Sequence, residues 1–104
     1  MPNFIIRVEL IDANDEGDFE KLDAAMEEHG FSPQIHDDNN VAFWLPTGTY
    51  ASQNSTMALA AVRDAAVAAA GEGGFDFALV VADFEDCEWV GLEQVEDNAE
   101  GATA

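Results

Sequence analysis

The stretch FDFALVVADFEDCEWVGL, residues 75–92, decides how the rest of the chain is read. It opens as the most apolar run in the sequence, over residues 77–82, and passes into an acidic cluster of Asp83, Glu85, Asp86 and Glu88, with Trp89 just beyond. A short valine-rich run, preceded by Gly71-Glu72-Gly73-Gly74 and followed by acids, predicts a buried strand over residues 75–84. Upstream of the glycines, an Ala-rich segment predicts a helix capped by Asn54 or Ser55 and ending near Ala70. Its stripe of Leu59, Val62, Ala66 and Ala69 is narrow, and such small side chains suit close packing on a sheet.

At the other end of the chain, residues 3–12 (NFIIRVELID) alternate. Phe4, Ile6, Val8 and Leu10 take one face, while Ile5, Arg7, Glu9 and Ile11 take the other, as in an antiparallel sheet with one open face. Residues 13–18 read as a turn and helix start, with Asp15 or Asp18 as cap. The helix runs to about His29 on a stripe of Phe19, Leu22, Ala25 and Met26, and Gly30 stops it. Residues 31–36 form a short strand, which Pro33 places at an edge. The turn Asp37-Asp38-Asn39-Asn40 and the strand at 41–45 complete a hairpin, and residues 46–54 read as a polar loop. The order β–α–β–β–α–β gives an α+β class. Its simplest form is ferredoxin-like, with two helices on one face of a four-stranded antiparallel sheet whose last strand pairs with the first. Residues 1–95 make a single domain, and 96–104 an acidic flexible tail.

Composition narrows the function. The 104 residues are 48% hydrophobic, enough for a core, yet carry 22 acids against Arg7, Lys21 and Arg63, a net charge of −19. Phosphate contacts need lysine and arginine, so direct binding to nucleic acid or an anionic membrane is excluded. No apolar run approaches a membrane span, and no basic-then-apolar leader opens the chain. The single cysteine, Cys87, excludes an internal disulfide and fits a reducing, cytoplasmic setting.

The opening PNFIIRVEL, the helix FEKLDAAMEEHGF, the hairpin arm with LPTGTY and the closing WVGLEQV resemble small bacterial proteins grouped with the type V antitoxin endoribonucleases. The similarity runs from about residue 2 to 95 in the same element order. It implies a ferredoxin-like fold and a toxin–antitoxin ancestry. It also implies an alternative function, an antitoxin-like endoribonuclease, although no catalytic residue of that family maps onto a position here.

Where the acids fall is more informative than their number. Residues 1–40 carry eleven, residues 41–71 carry one (Asp64), and residues 72–104 carry ten. Halophilic adaptation, the alternative in which the domain has some unrelated function, spreads acids over every exposed surface. A functional acidic face concentrates them. The leading expectation is a face built from Asp83, Glu85, Asp86 and Glu88, joined by Glu27 and Glu28 from the end of the first helix, with Trp89 as an apolar anchor. On a strand, Asp83 and Glu85 stand roughly 6.6 Å apart, two rises of about 3.3 Å, which is of the order of the spacing between backbone phosphates. Such an array fits a Lys/Arg groove built for nucleic acid and steers association with strong salt dependence. The expected protein is non-enzymatic, without a cofactor, and blocks a basic nucleic-acid-binding partner in the manner of a DNA-mimic inhibitor of the anti-CRISPR or anti-restriction kind.

Other chemistries fit less well. His36, Asp37 and Asp38 are adjacent, and Asp12, Asp15, Glu16 and Asp18 crowd one loop, but neither set has the spacing of an EF-hand, so no metal site is expected. Cys87 among acids is expected to have a raised pKa and little thiolate. Ile5, Ile11, Ala78, Val80 and Phe84, with one of Phe43 and Trp44, share the second sheet face, which suggests a homodimer through that open face.

Overall fold

In the computed structural model the described residues are 3–11, 16–53, 55–72, 74 and 76–95, with Glu16 described by its backbone alone. The elements are β1 (Asn3–Ile11), α1 (Glu16–Glu28), β2 (Gln34–His36), β3 (Ala42–Trp44), β4 (Thr49–Ser52), α2 (Leu59–Gly71) and β5 (Asp76–Phe84). The class is α+β, with two helices and antiparallel pairing throughout. Caps expected at Asp15 and Asn54, and the tail at 96–104, lie outside the described residues.

The alternation of β1 is realised. Phe4, Ile6, Val8 and Leu10 are buried, and they share a core with Leu22, Ala25 and Met26 of α1 and Val62, Ala66, Ala69 and Ala70 of α2. Burying such side chains contributes about 1.5–3 kcal/mol for each large one, the main force set against the self-repulsion of the charge. Gly30 stops α1 as expected. Its φ of +88° lets Phe31 N–H reach Met26 O (2.9 Å) and Gly30 N–H reach Glu27 O (3.0 Å), closing the helix and turning Phe31 into the core. The C-terminal ends of the two helices are joined by His29 Nε2 and Glu72 Oε2 at 2.7 Å. Leu59 is a correction to the expected stripe of α2: it is 44% exposed and lies outside the core. The expected cap also shifts, because Ser55 Oγ accepts from Met57 N–H (3.0 Å) and α2 starts at Leu59 after Ala58, without a side-chain cap.

Two expectations about strands are overturned. Residues 49–52 are not loop. A turn closed by Thr49 N–H on Pro46 O (2.9 Å), with Gly48 at φ +82°, leads into β4, which pairs with the first half of β1 and buries Tyr50 and Ala51. Four residues are too few to show alternation, so sequence pattern could not reveal this strand. The four-stranded sheet is also not continuous. The strands form a three-stranded sheet, β4-β1-β5, and a separate ribbon, β2-β3. The two meet where Ser32 and Ala51 exchange backbone hydrogen bonds of 2.9 and 2.8 Å.

The ladder to β4 stops one step after Ser32. In an antiparallel pair the next residue to bond β4 would be Gln34, but its N–H is taken by Ser32 Oγ at 3.1 Å, while Pro33 turns its carbonyl to Leu45 N–H on the other side (2.8 Å). Continued in register, the ladder would set His36 opposite Thr47. Instead the ribbon turns back, and His36 bonds through its main chain to the Gln53 side chain at 2.9 and 3.0 Å. The apolar run in β5 also needs correcting. β5 does pair with all of β1 in the expected antiparallel sense, Asn3 to Phe84 through Ile11 to Asp76, but it is an edge strand and none of its residues is fully buried.

Candidate functional site

The turn of the β2–β3 ribbon and the segment after β5 face each other across a cleft of about 530 Å³. One wall carries His36, Asp37 and Asp38. The other carries Glu85, Asp86, Cys87, Glu88 and Trp89. Asn3, Ile35, Gln53 and Phe84 complete the lining. Five carboxylates therefore border one concavity that no lysine or arginine lines.

Local chemistry fixes both walls. In the ribbon turn, Asp37 Oδ1 accepts from Asn39 N–H and Val41 N–H, each at 2.9 Å, and Asn40 adopts φ +63°, a conformation asparagine tolerates. The opposite wall is a strap tethered at both ends. It leaves β5 at Phe84 and is held to β3 by Trp44 N–H to Glu93 O and Val95 N–H to Ala42 O, both 2.9 Å. Between these anchors Trp89 packs on Phe43, with ring centroids 5.4 Å apart and planes tilted by 57°, an edge-tilted geometry aromatic pairs favour. Ile35, which faces Phe43 across the ribbon, is fully buried although it lies outside the main core cluster. The strap and ribbon thus form a small second apolar cluster beneath the acids.

The structure sorts the expected site residues. Glu85, Asp86, Glu88 and Trp89 come together at the cleft. Trp89 is half-buried on Phe43, so part of its surface is already committed to the fold. Asp83 is exposed but pairs with Phe4, on the helix-facing side of the sheet, whereas its neighbour Phe84 lines the cleft. β5 ends at Phe84, so the regular strand spacing expected between Asp83 and Glu85 does not extend to Glu85. Glu27 and Glu28 are exposed at the end of α1 and do not line the cleft; Glu27 instead borders a shallow depression with residues 30–34. Their place opposite the strap is taken by Asp37 and Asp38. The Asp-Asp-Asn-Asn turn itself was visible in the sequence, but the fold-back at Pro33 that brings it to the strap was not.

The Cys87 thiol is pushed up by partial desolvation, not by the acids around it, so the expected direction stands with a different cause. Among the described residues no group of three or more His, Cys, Asp or Glu side chains is arranged to hold a metal ion, and no helix is long and apolar enough to cross a membrane. The open face of the three-stranded sheet is partly uncovered, with Ile11 at 44% and Val80 at 65% exposure; Trp44, expected to share that face, stands on the separate ribbon. No protein-family model matches the chain, and no curated protein matches it with significance.

Proposed function

We infer that the cleft is an interaction site for a basic surface of another protein, and that the chain acts by occupying a Lys/Arg groove otherwise used for nucleic acid. The observation that carries this reading is that Asp37 and Asp38 stand across a single concavity from Glu85, Asp86 and Glu88. An acidic coat serving solubility has no need to hold like charges against one another. Here main-chain bonds place the two segments that carry them, the strap being tied to β3 at Glu93 and Val95 and the ribbon turn being closed on the Asp37 carboxylate. The field of the gathered acids draws in a cationic partner at low salt. Val90, at 95% exposure beside Trp89, adds an apolar contact at the rim.

The architecture also supports a ferredoxin-like ancestry. The order β5-β1-β4, continued through the Ser32–Ala51 bridge to the segment entering β2, follows that arrangement with the second strand bent out of the sheet.

The test is capture from a host lysate on the immobilised chain, eluted with duplex DNA. The expected result is a protein retained by the wild type, released by DNA, and not retained by an E85K/D86K/E88K variant. Retention unchanged by the reversal, or no DNA-displaceable partner at low salt, overturns the reading. Cleavage of RNA by the pure chain would favour the antitoxin-like endoribonuclease instead. A fold that needs molar salt would favour halophilic adaptation.

A further inference from the structure

The outer edge of β5 and the groove beside it differ from the rest of the surface. The groove is about 470 Å³ and is lined by Leu59, Ala60, Arg63 and Val67 of α2 with Leu79 and Val81 of β5. Leu59 and Val67 are each 44% exposed, and Val80, on the other side of the same strand, is 65% exposed. No acid lines this groove, and α2 is neutral, its one acid, Asp64, being paired with Arg63 at 3.0 Å.

The main chain at this edge is open as well. Val8 N–H bonds to Gly48 O on the β4 side of β1, so alternate residues of β1, namely Ile5, Arg7 and Glu9, turn their backbone groups towards β5. Their partners Ala82, Val80 and Ala78 bond inward, which leaves the N–H and C=O groups of Phe77, Leu79 and Val81 directed outward. Edge strands of this kind are usually guarded by lysine, proline or a bulge. Residues 77–82 contain no charge and no proline.

We propose that this edge is the seat of a second copy of the same chain, paired antiparallel through β5 across a two-fold axis, so that two three-stranded sheets become one of six strands. Charge selects this occupant. Two molecules of net charge −19 repel wherever acids are dense, and the α2–β5 edge is the neutral surface through which they can approach. The strand is self-compatible too. A two-fold antiparallel register pairs residues whose numbers sum to an even value, so it never sets Asp76 opposite Asp83. Centred on Val80, it sets Val80 against its mate and Leu79 against the partner's Val81, while Asp83 meets Phe77 and Asp76 meets Phe84. This surface is separate from the acidic cleft; it shares Val80 with the open-face dimer expected from sequence, whereas Leu59 and Val67 belong to it alone.

Sedimentation of the full chain over a range of concentrations, at low and high salt, tests this. The expected result is a reversible dimer that tightens as salt rises, because screening removes the repulsion between copies. A complex with a basic partner weakens with salt, so the two surfaces fail or succeed separately. L59E/V67E and V80K alter exposed side chains, and each is expected to weaken the dimer by about tenfold or more, the equivalent of about 1.4 kcal/mol, with an unchanged circular dichroism spectrum. E85K/D86K/E88K is expected not to weaken it. A chain that stays monomeric at every concentration and salt overturns the proposal. So does a dimer that L59E/V67E leaves intact and I11K disrupts.

Discussion

Holding like charges across the cleft opposes folding, and the size of that penalty follows from the geometry. For a separation of about 8 Å, on the order of the width a cleft of about 530 Å³ allows, two unit charges in water repel by about 0.5 kcal/mol. Asp37 and Asp38 facing Glu85, Asp86 and Glu88 make six such pairs, about 3 kcal/mol before screening. At about 0.1 M salt the Debye length is about 10 Å, which reduces the sum to about 1.5 kcal/mol, and at about 1 M, with a length of about 3 Å, it falls to about 0.2 kcal/mol. The variant E85Q/D86N/E88Q removes all six pairs while nearly preserving side-chain size. Urea unfolding followed by tryptophan fluorescence should therefore show it more stable than wild type by on the order of 1 kcal/mol at low salt, with an unchanged m-value and almost no difference at 1 M. The same variant should lose the DNA-displaceable partner. A site that gains stability when neutralised and loses its ligand is one kept for binding. No gain at low salt, or a gain that persists undiminished at 1 M, would refute the cross-cleft repulsion.

Three further outcomes are expected. Gly48→Ala should destabilise by about 1–3 kcal/mol in the same urea assay, because φ is +82° and the added Cβ would lie 2.5 Å from both Val8 O and Arg7 Nη1; trimming Arg7 should not rescue it, since the Val8 carbonyl is backbone. Tyr50 is fully buried and donates to Asp23 Oδ1, and burial first, then that hydrogen bond, raises its pKa above the ordinary tyrosine value. A raised folded-state pKa makes stability complete below about pH 10, the unfolded value, and lost as the pH climbs above it, so Tyr50→Phe should lower stability at neutral pH by about 1 kcal/mol and flatten the alkaline fall of the melting temperature. Trp89→Ala should loosen the strap, costing about 1–3 kcal/mol, and limited proteolysis should then cut within residues 85–95 faster than in the wild type.

How legible was this protein in its sequence? The elements with several turns or alternations were readable: β1 from its period of two, α1 from Leu22, Ala25 and Met26 ended by Gly30, and the antiparallel meeting of β5 with β1. Elements governed by one or two residues were not. β4 is four residues long and its identity comes from pairing with β1. The split of the sheet falls where the Ser32 hydroxyl takes the Gln34 donor; the sequence marked Pro33 as an edge without saying where the chain would go next. The burial of β5 was overestimated because apolar content does not distinguish a central strand from an edge left uncovered. At the site, the contiguous acids Glu85, Asp86 and Glu88 were legible as a cluster. Asp37 and Asp38 reach them through a fold-back of nearly fifty residues' separation in sequence, which local patterns do not record.

The strap has a consequence for assembly as well as for the cleft. Its residues Glu93–95 lie along the outer side of β3, Gln94 bridging to Phe43. The far side of β2 is likewise answered, by the Gln53 amide on His36 and the Ser32 hydroxyl on Gln34, and β4 is met at Ala51 by Ser32. Growth of a β-structure into a filament requires two open ends, one to receive a neighbour and one to offer to the next. Among the described strands, only β5 is left open along its length. Pairing through it consumes the open end of both molecules at once, so it terminates at two copies, and a chain bearing the aggregation-prone run FALVVA is held to a closed, finite association by the strap that covers β3.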